Sequence, residues 1–72
     1  MIEKKFGLVL KNLRMEKGLS QEEFARNTDL HRTYISQLER GLKSPSLRAI
    51  VKICDELDLS LVQFMEYLEQ KN

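Results

Sequence analysis

The chain has 72 residues, of which 42% are hydrophobic and 32% are charged, and its formal net charge is +1. This length is enough for one small domain but too short for two cores or for most enzyme clefts. One cysteine, Cys54, and one histidine, His31, can form neither an internal disulfide nor a zinc site. We therefore expect a single domain over residues 1–72 that has no cofactor and no metal, and that gains stability from a partner subunit.

The sequence also bears on where the protein acts. No segment approaches the length of about 18 apolar residues that marks a membrane-spanning helix. The first ten residues lack the apolar core and the cleavage site of a signal peptide. A lone cysteine is typical of a reducing compartment. These features predict a cytoplasmic protein that contacts no membrane, and we expect no small-molecule ligand.

Charge is distributed unevenly along the chain. Residues 26–52 contain six basic and two acidic residues, a net +4, whereas residues 53–72 contain one basic and five acidic residues, a net −4. Random fluctuation in a short chain is one explanation. The functional explanation is a basic middle segment that faces a polyanion and an acidic end that faces away from it.

The first part of the chain predicts two helices. Helix 1 is expected over about 2–17, and Gly18 is placed to end it in the left-handed conformation. Its apolar face consists of Ile2, Phe6, Val9, Leu10 and Leu13. Ser20 and Glu23 have the spacing of a capping box, which begins helix 2 over about 20–27.

The last part of the chain predicts two more helices. Ser46 is placed as the N-cap of helix 4, over about 47–57, and Ser60 as the N-cap of helix 5, over about 61–69. The inner stripe of helix 4 is expected to consist of Leu47, Ile50, Cys54 and Leu57. No segment alternates with period two for long enough to form a strand, so with helix 3 the fold class is all-α, with five helices.

Residues 20–40 combine helix 2, a tight turn at Asn27-Thr28-Asp29 and helix 3, over about 31–40. On helix 3, Ile35 and Leu38 point to one side. The polar side chains fall within an arc of roughly 140° on the other side; they are Arg32, Thr33, Ser36, Gln37 and Arg40. Arg, Gln and Thr can contact guanine, adenine and thymine edges from the major groove. A merely solvated face is the alternative, but this arc lacks the Lys and Glu that usually solubilise one.

Three segments carry a resemblance to a known family: Leu13 to Ala25, Tyr34 to Gly41, and Pro45 to Ser60. Over residues 6–64 or so, the chain resembles the phage repressor/Cro-type (XRE) helix-turn-helix family. The segment from His31 to Ser36 further resembles the small controller proteins of restriction–modification systems. The resemblance implies a compact five-helix bundle of the lambda-repressor-like DNA-binding type. It also implies a sequence-specific transcriptional regulator, an activator or a repressor, that binds double-stranded DNA.

The resemblance implies roles for individual residues as well. The base-reading positions are Arg32, Thr33, Ser36 and Gln37. The positions that contact the DNA backbone are Gln21, Tyr34, Arg40, Lys43 and Ser44, although Tyr34 is equally suited to packing over the turn. Arg14 and Glu39 match a buried ion pair that holds helix 1 to helix 3. Asp29 departs from the family pattern, because this turn position is usually glycine.

Helix 5 has more apolar surface than one core-facing stripe needs. One explanation is that all of it packs on helices 1 and 4. The other is a two-fold homodimer interface, formed by Leu61, Val62, Met65, Tyr67 and Leu68. Such a dimer would present two copies of helix 3 about 34 Å apart, which suits a near-palindromic operator.

The main hypothesis is therefore a transcriptional regulator that acts by binding alone. The alternative is an antitoxin, or another protein-interaction module of the same superfamily, whose partner site is the apolar surface of helix 5. An enzyme is the remote third option, because the sequence shows no paired carboxylates, nucleophile–base set or glycine-rich loop.

Overall fold

In the computed structural model, which describes residues 1–70, the chain forms five α-helices and no strand. They are α1 (Ile2–Glu16), α2 (Gln21–Thr28), α3 (Arg32–Glu39), α4 (Leu47–Leu57) and α5 (Leu61–Gln70). Helix α1 packs against α3 and α5, α2 packs against α3 and α4, and α4 packs against α5. The all-α prediction is confirmed, and the predicted helix ends lie within about two residues of the observed ones. Over the described part of the chain, no helix is long and apolar enough to cross a membrane.

Reciprocal capping begins two of the helices. The Ser20 hydroxyl accepts from the Glu23 N–H at 3.0 Å, and the Glu23 carboxylate accepts from the Ser20 N–H at 2.9 Å. Ser60 and Gln63 repeat this arrangement at the start of α5, at 3.0 and 2.8 Å. The predicted capping box of helix 2 is confirmed. Helix α3 differs, because its N-cap, His31, makes no side-chain capping hydrogen bond.

Four helix ends in residues 1–70 share one arrangement. Each places a residue with φ between 57° and 73° directly after the helix or one residue beyond it; these are Gly18, Asp29, Gly41 and Asp58. A leucine follows each one, and its N–H donates to the carbonyl five residues back at 2.9 to 3.3 Å. Asp29 thus adopts the conformation that favours glycine, as its place in the predicted turn requires. The left-handed conformation of Asp29 ends α2 and turns the backbone towards the start of α3.

The core is apolar and is shared by all five helices. Its buried members are Phe6, Val9, Leu10, Leu13, Phe24, Ala25, Ile35, Leu38, Ala49, Ile53, Cys54, Leu57 and Phe64. Cys54 is part of this packing, and its burial raises the pKa of the thiol.

Two residues predicted to face the core do not. Ile2 is 56% exposed, because it lies one turn before Phe6, where the buried stripe of α1 begins. Leu47 is 83% exposed. The buried side of α4 is centred nearer to Ala49 and Ile53 than expected, and Leu47 points about 95° away from its centre at 100° per residue. The apolar arc of α4 is wide, so periodicity alone placed its centre wrongly.

Gly7 lies where α1 crosses the end of α3. A Cβ atom at this position would clash with the Leu38 carbonyl oxygen and would lie 2.6 Å from the Glu39 carbonyl oxygen. Both contacts are with backbone, which cannot rotate away as a flexible side chain can. Glycine is therefore required for the close approach of these two helices, a feature that the sequence pattern did not reveal.

Candidate nucleic-acid interface

Helix α3 is anchored by its inner side. Ile35 and Leu38 are completely buried, as predicted. At the end of α2, the buried Thr28 hydroxyl donates to the Phe24 carbonyl at 2.8 Å, so the turn leaves this group satisfied. Because α2 and α3 share a continuous core, the opposite side of α3 is held towards solvent.

We define the outer face of α3 as Arg32, Thr33, Ser36, Gln37 and Arg40. Arg32, Thr33 and Arg40 are exposed, and Ser36 and Gln37 are half-buried. The ion pairs within residues 1–70 are Arg14–Glu39, Lys17–Asp58 and Lys52–Asp29. Arg32, Arg40 and Lys43 belong to none of these pairs, so among the described residues their charges have no carboxylate partner. The structure thus places the predicted base-reading residues together on one surface.

A polar network at Glu39 fixes the orientation of α3. Its carboxylate accepts from Arg14 Nε at 2.6 Å and from Arg14 Nη2 at 3.0 Å, which confirms the predicted buried ion pair. Arg14 Nη1 also donates to the Leu19 carbonyl at 2.7 Å. Gln21 Nε2 donates to Glu39 at 3.0 Å. The network therefore ties α1, the start of α2 and the end of α3 together, and it holds Gln21 at the positive end of the α2 dipole.

The loop from Arg40 to Ser46, here called the α3–α4 loop, continues this surface. Lys43 and Ser44, two of the predicted backbone-contacting residues, are exposed on it. Tyr34 is half-buried, and its hydroxyl accepts from the Ser46 N–H at 3.3 Å. Tyr34 therefore packs against the core beside this loop, and its hydroxyl hydrogen stays available for a phosphate.

Helix α3 and helix α4 begin with an unusual charge arrangement. The first turns of α1 and α2 contain acidic residues, which suit the positive end of a helix dipole. The first turns of α3 and α4 contain none and instead carry Arg32 and Arg48. A cation at this end is unfavourable by about 0.3–1 kcal/mol. A nearby polyanion would offset this cost, which favours nucleic acid as the partner of this surface.

Helix α5 leaves apolar side chains uncovered. Phe64 is buried and Leu68 is half-buried, whereas Leu61, Val62 and Met65 are 48%, 69% and 38% exposed. The explanation in which all of helix 5 packs internally is therefore wrong for this chain. Tyr67, 42% exposed, lies apart from the others, in a hollow against α1 and the end of α4; the hollow is lined by Leu13, Glu16, Lys17, Leu57 and Leu59.

The fold and this surface define a five-helix domain of the helix-turn-helix class. Residues 10–64 match the family model described as helix-turn-helix. Since the match covers most of the sequence, the chain belongs to the helix-turn-helix family, as its resemblance predicted.

Relatives of known name are similar over most of their length. The control protein C.MunI of Mycoplasma sp is 43% identical over 68 residues, which cover 93% of this chain and 92% of the relative. The control protein C.BamHI of Bacillus amyloliquefaciens is 40% identical over 63 residues, covering 86% and 78%. The restriction-modification controller protein C.Esp1396I, as a tetramer in complex with its natural 35 base-pair operator, matches with a TM-score of 0.90 at 35% identity, covering 99% and 93%.

Proposed function

We propose that this protein is a cytoplasmic, sequence-specific double-stranded DNA-binding transcriptional regulator of the restriction–modification controller kind, acting as a homodimer. The observation that carries the proposal is that the outer face of α3 presents arginines that form no ion pair with the described residues. The buried Arg14–Glu39 pair holds this helix in place. The similarity to control proteins, and to a controller protein in complex with its operator, supports it. The function consists of binding and requires no catalytic step.

Sequence reading is assigned to the outer face of α3. Arg32 stands first in the helix and can donate two hydrogen bonds to guanine O6 and N7. Thr33 suits a thymine methyl group, and Ser36 and Gln37 can bind base edges one turn further on. Each good bidentate pair contributes about 1–3 kcal/mol of discrimination against a wrong base.

Affinity is assigned to contacts with backbone phosphates. Arg40 ends the outer face of α3, and Lys43 and Ser44 follow it in the α3–α4 loop. Gln21 is held against Glu39 at the end of α3, and Tyr34 borders the loop. Cations that neutralise phosphates release counterions, so each contact steepens the dependence of affinity on salt. These contacts set the register of the protein on the duplex but carry no sequence information.

The contact with a second copy of the chain is assigned to α5. Leu61, Val62 and Met65 form the exposed apolar side, and Leu68 is half-buried beside it. Tyr67, the fifth predicted interface residue, lies on another side of the helix, against α1 and the end of α4. This face lies in the acidic end of the chain, which a DNA backbone would repel. A two-fold axis there would place two copies of α3 about 34 Å apart, one turn of the duplex. Whether the dimer activates or represses then depends on the position of its operator relative to a promoter.

Selection of bound duplexes from a random-sequence pool tests this function. We expect a near-palindromic site with half-sites one helical turn apart. On that site, Arg32→Ala should lower affinity by about 1–3 kcal/mol and lower the ratio of operator to random-sequence binding. Lys43→Ala should weaken both equally and flatten the salt dependence. Recovery of no preferred sequence, or an equal loss on both duplexes for Arg32→Ala, would contradict the assignment.

A further inference from the structure

The first turn of α1 lies against the α3–α4 loop. The Ser44 hydroxyl donates to Glu3 Oε2 at 3.1 Å. A Cβ atom on Gly41 would lie 2.8 Å from Lys4 Cγ and 3.1 Å from Lys4 Cα, so the backbones are also close here. The Glu3 carboxylate is therefore bound to Ser44, a loop residue that is assigned to a DNA phosphate.

Glu3 places an acidic group beside a loop that carries Arg40 and Lys43. It takes part in none of the three ion pairs found within residues 1–70, so no cation lies within 4.0 Å of its carboxylate there. Its bond to Ser44 is that of a hydroxyl to an anionic oxygen, the same kind of bond that a serine makes to a phosphate. A serine hydroxyl has one hydrogen and can donate it to one of these acceptors only.

We propose that Glu3 occupies, in the free protein, the anion position beside Ser44 that a DNA backbone phosphate takes in the complex. Glu3 then competes with the DNA phosphate for the Ser44 hydroxyl, and it lowers the affinity for DNA of any base sequence. The inference rests on the proposed DNA-binding function. It is compatible with a structural role for Glu3 in the free protein, since an acidic residue in the first turn of α1 also suits the helix dipole.

The variant Glu3→Gln tests the competition, because its amide oxygen can still accept from Ser44 while the charge is removed. At about 0.1 M salt, where the Debye length is about 10 Å, we expect the Kd for a short random-sequence duplex to fall about five-fold, because one like-charge repulsion near the surface is lost. The Kd for the selected operator should fall by the same factor, because phosphate contacts carry no sequence information. The salt dependence of binding should become steeper.

The matched control is Glu16→Gln. Glu16 is an exposed glutamate at the other end of the same helix, about 20 Å along its axis from Glu3. This variant makes the same change in net charge but lies beyond the Debye length, so its Kd should change by less than about two-fold. An equal gain in both variants would overturn the proposal, since only total charge would then matter.

Ser44→Ala separates the hydroxyl from general electrostatics. In this background, Glu3→Gln should strengthen binding by only about two-fold, because there is no hydroxyl that a phosphate could draw from the weaker, neutral amide acceptor. The same gain in both backgrounds would overturn the role of Ser44. Unchanged or weaker DNA binding by Glu3→Gln, with its thermal unfolding temperature retained, would overturn the competition itself. If the wild-type chain binds no duplex at all, the proposed function fails instead.

Discussion

Helices α3 and α5 are similar in length, at 8 and 10 residues, and each faces the core with one side. Ile35 and Leu38 anchor α3, and Phe64 anchors α5. The difference is on the outside, where α3 presents polar side chains and unpaired arginines while α5 presents aliphatic ones such as Val62. The inner sides of both helices bury apolar side chains in the common core. The outer side of α3 suits a polyanion, and that of α5 suits an apolar protein surface.

The two helices are also attached differently. Helix α3 is held by directional bonds, the bidentate Arg14–Glu39 pair and the Gln21 amide. Helix α5 is held by apolar packing, in which the rings of Phe6 and Phe64 lie 5.2 Å apart at an angle of 52°. Directional bonds define an orientation, whereas apolar packing is non-directional. A helix that reads base edges needs the first kind of attachment, because its side chains must meet fixed donors and acceptors.

Glu39→Ala should have the largest effect, because it removes the directional attachment of α3. Arg14 would be left buried without its partner, and we expect the free energy of unfolding to fall by about 3–5 kcal/mol. Urea denaturation followed by circular dichroism measures this. The control is Lys17→Ala, which removes the exposed pair with Asp58 and should lower stability far less. Similar losses in the two variants would mean that the network at Glu39 is not what holds α3.

Val62→Asp should come next and should affect α5 alone. An aspartate in the predicted dimer interface would be buried without a partner, and a cost of about 3 kcal/mol raises the dimer Kd roughly 100-fold. The fold should persist, because Val62 is 69% exposed in the single chain. Sedimentation equilibrium measures the Kd. Leu8→Asp is the control, at a 54% exposed position on α1 outside the predicted interface, and it should leave the dimer intact.

Gly7→Ala should have a smaller effect that again concerns α3. In an exposed helix interior this change usually stabilises by about 1 kcal/mol. Here the added methyl group meets the carbonyls of Leu38 and Glu39, so we expect a loss of about 1–3 kcal/mol from overpacking. The thermal unfolding temperature should fall accordingly. A gain in stability would show that α1 can move away from α3 at little cost.

The smallest effect concerns acid stability at the start of α2, the helix that precedes the turn. Hydrogen bonds from the Ser20 backbone and hydroxyl hold the pKa of Glu23 below its ordinary value of 4.5. Because the pKa is lowered on folding, the ionised Glu23 carboxylate stabilises the folded protein. This contribution to the free energy of unfolding is complete above the ordinary pKa and is lost as the pH falls through the folded-state pKa.

Thermal unfolding between neutral pH and about pH 3 checks this linkage. Glu23→Gln keeps an acceptor for the Ser20 N–H but cannot titrate, so it should lose less stability on acidification than the wild type. Ser20→Ala removes the hydroxyl whose hydrogen bond helps to lower the Glu23 pKa, and it should reduce the same acid-dependent loss. An identical acid profile in all three proteins would contradict the assignment.

Local features of the molecule could be predicted from the sequence. The capping boxes and the inward direction of Ile35 and Leu38 depend on residues within one or two turns of each other. The pairing of Arg14 with Glu39 spans 25 positions. It was expected only because the chain resembles a family that has such a pair.

Several contacts at the candidate site could not be predicted. Examples are the hydrogen bond from Ser44 to Glu3, 41 positions apart, and that from the Ser46 N–H to Tyr34. Each depends on how a loop is laid against a distant helix, which periodicity does not describe. The same holds for Gly7, whose importance appears only when α3 is placed beside α1.

The pattern of amino acids alone is enough for five helices, the sharp turn before α3 and the polar character of its outer face, because short-range sterics and capping decide them. Three-dimensional packing decided which apolar residues stay exposed on α4 and α5, and which groups meet at Glu39 and Ser44. The physical reason is that burial and hydrogen bonding across the core depend on the relative placement of whole helices. Such placement is a property of the assembled domain and not of any one segment.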